Sequence, residues 1–227
     1  MNTLKWLQLN HLADSALPIG SSAHSFGLES LVADGKLDGP RLTSTFRALL
    51  AEMAGGDGYF CRAGYACGQT MENDLERWLV LNAQIDAFKM ARETRQASVA
   101  LGRRFMLLAA GFEELGWLET WVNRAKSEQI GTHHSAAFGL VGARLGLPAE
   151  EVIAAYLQQA VVGLIQACQK IMPLGQARAS QLLWAIKPAI VDAAAYSANL
   201  REPCAFSPLL DLASMRHPHL TTRLFIS

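Results

Sequence analysis

The side chains able to do chemistry are scattered along this chain, not gathered. Cysteines stand at 61, 67, 168 and 204, and no two have the spacing of a metal clip or a redox pair. Cys61 and Cys67 are six residues apart, which on a helix turns them away from one another. Their plain reading is reduced core thiols in a cytosolic protein. Two histidine pairs invite a metal reading. His217 and His219 flank Pro218 and could offer two imidazoles to a divalent transition metal. Two ligands make a weak site, and exposed tail histidines are the plainer account. His133 and His134 are neighbours at a helix start, so their side chains diverge by about 100°. His24 reads as a structural hydrogen-bonding residue. Asp14 and Glu29 flank a loop, but nothing pairs them as general acid and base. Asp14 is expected to brace the loop and Glu29 to face a partner. The chain has no Gly-x-x-x-x-Gly-Lys-Ser/Thr loop, so nucleotide chemistry would belong to another protein.

The remaining charged candidates are cations and their neighbours. Glu93 and Arg95 sit two apart and do not face each other, so each should pair with another helix or with the loop at Pro18. Lys170 ends a long apolar helix, where a cation complements the helix dipole. It also becomes a partner-surface candidate if the C-terminal tail docks nearby. Arg223 stands close to the C-terminus, between Thr222 and Leu224. A guanidinium there either frays in solvent or latches the tail through forked hydrogen bonds.

These residues must be positioned by helices. From Pro148 the residues Val152, Ile153, Tyr156, Leu157, Val161, Leu164, Ile165, Cys168 and Ile171 recur at three- and four-residue spacing. A polar stripe of Gln158, Gln159, Gln166, Gln169 and Lys170 interrupts them. At about 1.5 Å per residue this helix spans roughly 35 Å and reads as a central post wrapped by others. Pro173-Leu174-Gly175-Gln176 breaks it before a second helix, with a possible kink at Pro188. Upstream, helices are expected over 4–13 with Trp6, Leu7 and Leu9 available for burial, over 23–33, from a cap at Asp38 to Gly55-Gly56, and over 57–69. Further helices follow a cap at Asn73-Asp74 and cover 91–110, a piece between Gly116 and Gly131, and 136–145. From about Asn199 the chain turns irregular. No period-two strand is found. The expected fold is all-α: a single-domain bundle of about nine or ten helices with an irregular tail.

Composition sets limits on function. The chain has 227 residues, of which 51% are hydrophobic, enough for one sizeable core. Twenty basic residues balance twenty acidic ones, which argues against wholesale binding to nucleic acid or a membrane surface. No eighteen-residue window lacks polar interruption and the N-terminal run has no signal-peptide pattern, so a cytoplasmic protein is expected.

Four stretches together resemble the UreF family of urease accessory proteins. They are Asp14-Ser15-Ala16-Leu17-Pro18-Ile19-Gly20 running into His24-Ser25-Phe26-Gly27-Leu28-Glu29; Glu93-Thr94-Arg95-Gln96-Ala97-Ser98 with Leu101-Gly102-Arg103-Arg104; Ile171-Met172-Pro173-Leu174-Gly175-Gln176; and the end, from Phe206 through Ser214-Met215-Arg216-His217 to Arg223-Leu224-Phe225-Ile226-Ser227. They follow the family's order and rough spacing over nearly the whole chain. The tail departs from the common pattern, with Pro218 where many members carry an acid.

The resemblance implies a non-enzymatic maturation factor that dimerises. It implies binding to a UreD/UreH-type accessory protein and to the GTPase UreG, on apo-urease, for nickel insertion. Nickel and GTP would be handled by the partners, leaving this chain no cofactor of its own. Arg223, Lys170, Glu29, Arg216 and His217 are the expected partner-binding residues. The glutamine stripe either pairs across helices or lines a passage for the ion. Two other classes stay open: a helical-bundle enzyme of thiaminase or haem-oxygenase shape, with Cys168 as nucleophile, and a helical adaptor unrelated to nickel. Burial on an apolar helix predicts an inert Cys168 thiol.

Overall fold

A computed structural model describes residues 1–70, 74–112 and 115–226. Among these residues every regular element is helical. The α-helices are α1 Thr3–Leu12, α2 Leu28–Ala33, α3 Leu42–Met53, α4 Tyr59–Gln69, α5 Leu75–Phe88, α6 Arg92–Ala109, α7 Leu118–Ser127, α8 His134–Arg144, α9 Ala149–Ile171, α10 Gln176–Asn199 and α11 Pro208–Arg216. Side-chain oxygens hold two helix starts: Asn2 accepts from the Lys5 N–H at 2.9 Å and Asp74 from Arg77 at 3.0 Å. Asp38, expected to cap α3, instead accepts from the Arg41 N–H at 3.1 Å in the turn before it, and α3 starts at Leu42 without a side-chain cap. Asn73, expected to share the α5 cap, lies outside the described residues.

Several boundaries differ from expectation for identifiable reasons. Gly55 and Gly56 do not end a helix. A π turn over Ala54–Gly58 joins α3 to α4 in one continuous rod. Two of its carbonyls accept from outside the rod: Ala54, which also takes the Tyr59 N–H, from the Ser197 hydroxyl at 2.8 Å, and Gly55 from the Cys204 N–H at 3.0 Å. The helix expected over 23–33 is only α2, because Phe26 and Gly27 take φ of 51° and 88° just before it. Pro188 lies within α10 without ending it. The tail is not irregular throughout, since α11 occupies its middle.

The long α9 is the post against which α1, α2, α3, α4, α8 and α10 pack, but the most completely buried element is α8. Every residue from His134 to Gly142 is buried. The packing uses small residues: a Cβ on Gly64 of α4 would overlap the Ala136 carbonyl, and one on Gly139 of α8 would overlap the Cys61 carbonyl. Backbone thus meets backbone where α4 and α8 cross. Phe105, His134, Phe138 and Tyr156 form an aromatic nest beside this crossing, with ring centroids 5.4 to 6.2 Å apart.

Around this centre α9 is wrapped as its pattern demands, with no exposed residue between Glu151 and Gln169. By length and a hydropathy of 1.3, α9 alone among the described helices could cross a membrane, yet its faces are taken up inside the bundle. On α1 only Leu9 and Leu12 are buried. Trp6 and Leu7, expected inside, stay exposed.

Candidate functional site

The C-terminal tail is folded back on the body, and each of its turns is held by a named group. After α10, the Arg62 guanidinium donates to the Leu200 carbonyl at 2.7 Å. The carboxylate of Glu52 on α3 then accepts from the Phe206 N–H at 2.6 Å and the Ser207 hydroxyl at 3.1 Å. Pro208 at the first turn of α11 suits a helix start. That helix seats on Gly27, where any larger residue would meet Ser214 and the Leu210 carbonyl. Thr94 of α6 hydrogen-bonds Ser214 at 3.2 Å.

The last turns depend on Glu29, near the start of α2. Its Oε2 lies 2.7 Å from Nε2 of His217, and its Oε1 accepts from the Leu224 N–H at 2.8 Å. His217 is 0% exposed and Glu29 7%. One buried carboxylate therefore closes the tail at two points. The Ile226 N–H then donates to the Ala23 carbonyl at 2.9 Å. Phe225 is buried beneath Lys170, whose ammonium sits 5.2 Å from the ring centroid and donates to the Ser22 carbonyl at 3.2 Å. Arg216 forks onto Asp34, at 2.7 and 3.3 Å.

The structure therefore gathers Glu29, Lys170, Arg216 and His217 around the tail, although 188 residues separate Glu29 from His217. Their roles differ from those expected. Glu29 and His217 face each other in the interior and offer no side chain to a partner in this conformation. His217 is not one of two exposed tail histidines; His219 alone is exposed. Lys170 and Arg216 fasten the tail from outside. Arg223 is exposed and makes no hydrogen bond or ion pair among the described residues. Leu224 and Ile226 beside it are 69% and 73% exposed. The holding residues Glu52, Asp34 and Thr94 carried no sequence signal that tied them to the tail.

Under the tail lies a cavity of about 630 Å³ between α9 and α11. Asp57 and Lys89 face each other beside it at 2.9 Å. Burial would raise the Asp57 carboxyl, but Lys89, with Ser135 and His133, together outweigh it and hold the group below its ordinary value. Behind them, His133 bridges Ser98 and Asp86, with both contacts at 3.0 Å. The order Ser-His-Asp resembles a hydrolase relay. Yet His133 is wholly buried, and its backbone N–H donates to the Asn82 side-chain oxygen at 2.8 Å, so the residue serves as a tie between helices. Its neighbours Ser98, Asp86 and Asn82 tie α5, α6 and the start of α8 together. Burial lowers the His133 pKa despite Asp86, and lowers that of His134 to about 4.

Other expected features resolve similarly. His133 and His134 do diverge, one to Asp86 and the other to the aromatic nest. The loop at Pro18 is braced by Asp14, which accepts from the Ala16 N–H at 2.8 Å, and by Arg104 on the Ile19 carbonyl at 3.0 Å. Arg95 instead donates to the Lys89 carbonyl at 2.9 Å. The glutamine stripe is divided: Gln166 reaches Ser15 at 3.4 Å, and only Gln159 lines the cavity. Cys61, Cys67 and Cys168 are buried, but Cys204 is exposed and so is not a core thiol. Burial pushes the Cys168 thiol up to about 11, which leaves it protonated and a poor nucleophile.

Comparison with known proteins gives a consistent result. The profile of the family described as UreF matches residues 43–187. Similar curated proteins are named urease accessory protein UreF. That of Paenarthrobacter aurescens is 31% identical over 100% of both chains. That of Lachnoclostridium phytofermentans is 30% identical over 97% of this chain and 98% of its own. That of Actinobacillus pleuropneumoniae is 30% identical over 96% of this chain and 97% of its own.

Proposed function

Because this chain belongs to the UreF family of urease accessory proteins, we propose that it is a non-enzymatic scaffold for nickel insertion. It would bridge a UreD/UreH-type accessory protein and the GTPase UreG on apo-urease, acting as a homodimer. Nickel would be cargo and GTP the partner's ligand. The observation that carries this reading is the tail. Its interior groups, Glu29 and His217, fasten it to the body, while Arg223, Leu224 and Ile226 are turned outward. A latched segment with its free groups outward is a pre-formed docking element, which lowers the ordering cost of binding. Apolar residues left uncovered elsewhere, such as Trp184 at 75% exposure and Val191 at 63%, also suit a protein that works through its surfaces.

The enzyme alternative needs an activated nucleophile, and burial of the Cys168 thiol speaks against that residue. Co-purification with the two partners, with and without GTP and nickel, tests the proposal. Arg223→Ala is expected to keep the UreD/UreH-type partner and lose UreG. Normal nickel loading of urease in a strain lacking this chain would overturn the reading.

A further inference from the structure

The cavity beneath the tail has a floor unlike its walls. The walls are mostly apolar and include Phe26, Met53, Phe88, Leu164 and Met215. Gln159 on α9 lines the cavity, is 6% exposed, and among the described residues has no hydrogen-bond partner for either its amide oxygen or its nitrogen. Nε2 of His134, which also lines it, is likewise unpartnered. A buried carboxamide unmet at both ends is a standing cost to the fold, and a bound molecule would relieve it.

The charges around the cavity indicate what kind of molecule fits. Asp57 is neutralised by Lys89, and Glu52 is engaged by Phe206 and Ser207. Burial raises the pKa of Asp211 on the α11 wall, opposed by Lys89, and lowers that of His24. No group of three potential metal ligands converges among the described residues. An anion would find no uncommitted counter-charge in the lining, and Asp211, which makes no side-chain hydrogen bond or ion pair among the described residues, is offset for a cation by the Lys89 ammonium. We propose that this cavity binds a neutral amphiphile, with its apolar body against the walls and a carboxamide-type head donating to and accepting from Gln159. Because α11 forms one wall, an occupant would also hold the tail in its folded-back position. The inference stands apart from the nickel-insertion reading, and its failure would leave partner binding untouched.

Octanamide is the probe, with octylammonium and octanoate as charged counterparts of the same chain length. Calorimetric titration of the full chain is expected to show saturable octanamide binding. Each charged probe should bind at least about tenfold more weakly, since a charge must be desolvated without compensation. Hydrogen–deuterium exchange across 205–216 should slow with octanamide. Gln159→Leu should weaken octanamide by about five- to tenfold, the loss of a neutral hydrogen-bond pair. Ala160→Phe, which fills the cavity without touching the amide, should abolish binding. Thermal melts of both variants check that they fold. Equal binding of all three probes, or octanamide binding unchanged in either folded variant, would overturn the proposal. So would a crystal grown with saturating octanamide in which only water meets Gln159.

Discussion

Replacing His134 by Phe should remove most of one pH dependence from the core. His134 sits among Phe105, Phe138 and Tyr156, where burial lowers its pKa from 6.5 to about 4. In the unfolded chain it takes up a proton as pH falls through about 6.5; in the fold it does so only near 4. Between those values the unfolded state binds more protons, so this stability is present above 6.5 and is lost as pH falls toward 4. A gap of roughly 2.5 pH units corresponds to about 3 kcal/mol, of which about 2 kcal/mol is gone by pH 5. Phe keeps the ring contacts and has no proton to gain. His133 and His24, also lowered by burial, titrate with the same sign in both proteins and cancel in the difference. Denaturant midpoints at about pH 7.5 and pH 5 give the comparison. Wild type should lose about 2 kcal/mol more than His134→Phe, or about 4 to 8 °C in melting temperature. The test compares the two losses, so a small packing penalty from Phe at neutral pH does not disturb it. Equal losses in the two proteins would show that His134 is protonated inside the fold, and the argument from burial would fail.

Other substitutions separate the latch from the body. Glu29→Gln keeps the shape but removes the charge from two tail hydrogen bonds; a local loss of about 2 kcal/mol should speed exchange of the Leu224 and Ile226 amides about thirtyfold. Arg223→Ala should leave the melting temperature unchanged, because an exposed side chain with no bond is removed, while lowering UreG recovery in co-purification. Gly139→Leu drives a side chain into the Cys61 carbonyl, and loss of the cooperative melt, or destabilisation above about 3 kcal/mol, is expected by thermal scan.

The apolar period of α9 is legible from the chain alone, as is the cap at Asp74, whereas Asp38 reads as a cap but braces only the turn before α3. What escaped was written in small residues. The central role of α8 rests on Ala136 and Gly139, whose contribution is close approach and not apolar bulk, so no periodicity marks it. Glycines at 55 and 56 read as a stop, yet there they make room for the chain that crosses them. At the site, residue identities were legible but their directions were not. Glu29 and His217 were selected as outward-facing groups. Nothing local distinguishes a carboxylate that meets a partner from one that meets its own chain 188 residues later. Lys170 reads as a dipole-complementing cation that a docked tail would turn into a partner-surface group; the tail does dock there, but Lys170 is engaged by Phe225 and the Ser22 carbonyl.

The π turn between α3 and α4 also acts as a phasing element. One residue in a helix rotates everything beyond it by about 100°. Glu52, before the turn, points to the strap that begins the tail, and Gly64, after it, points to α8. The wide turn sets the angle between those two faces of a single rod. A chain shortened by one glycine at 55, 56 or 58 would keep both Glu52 and Gly64, yet could not present both faces to their neighbours at once.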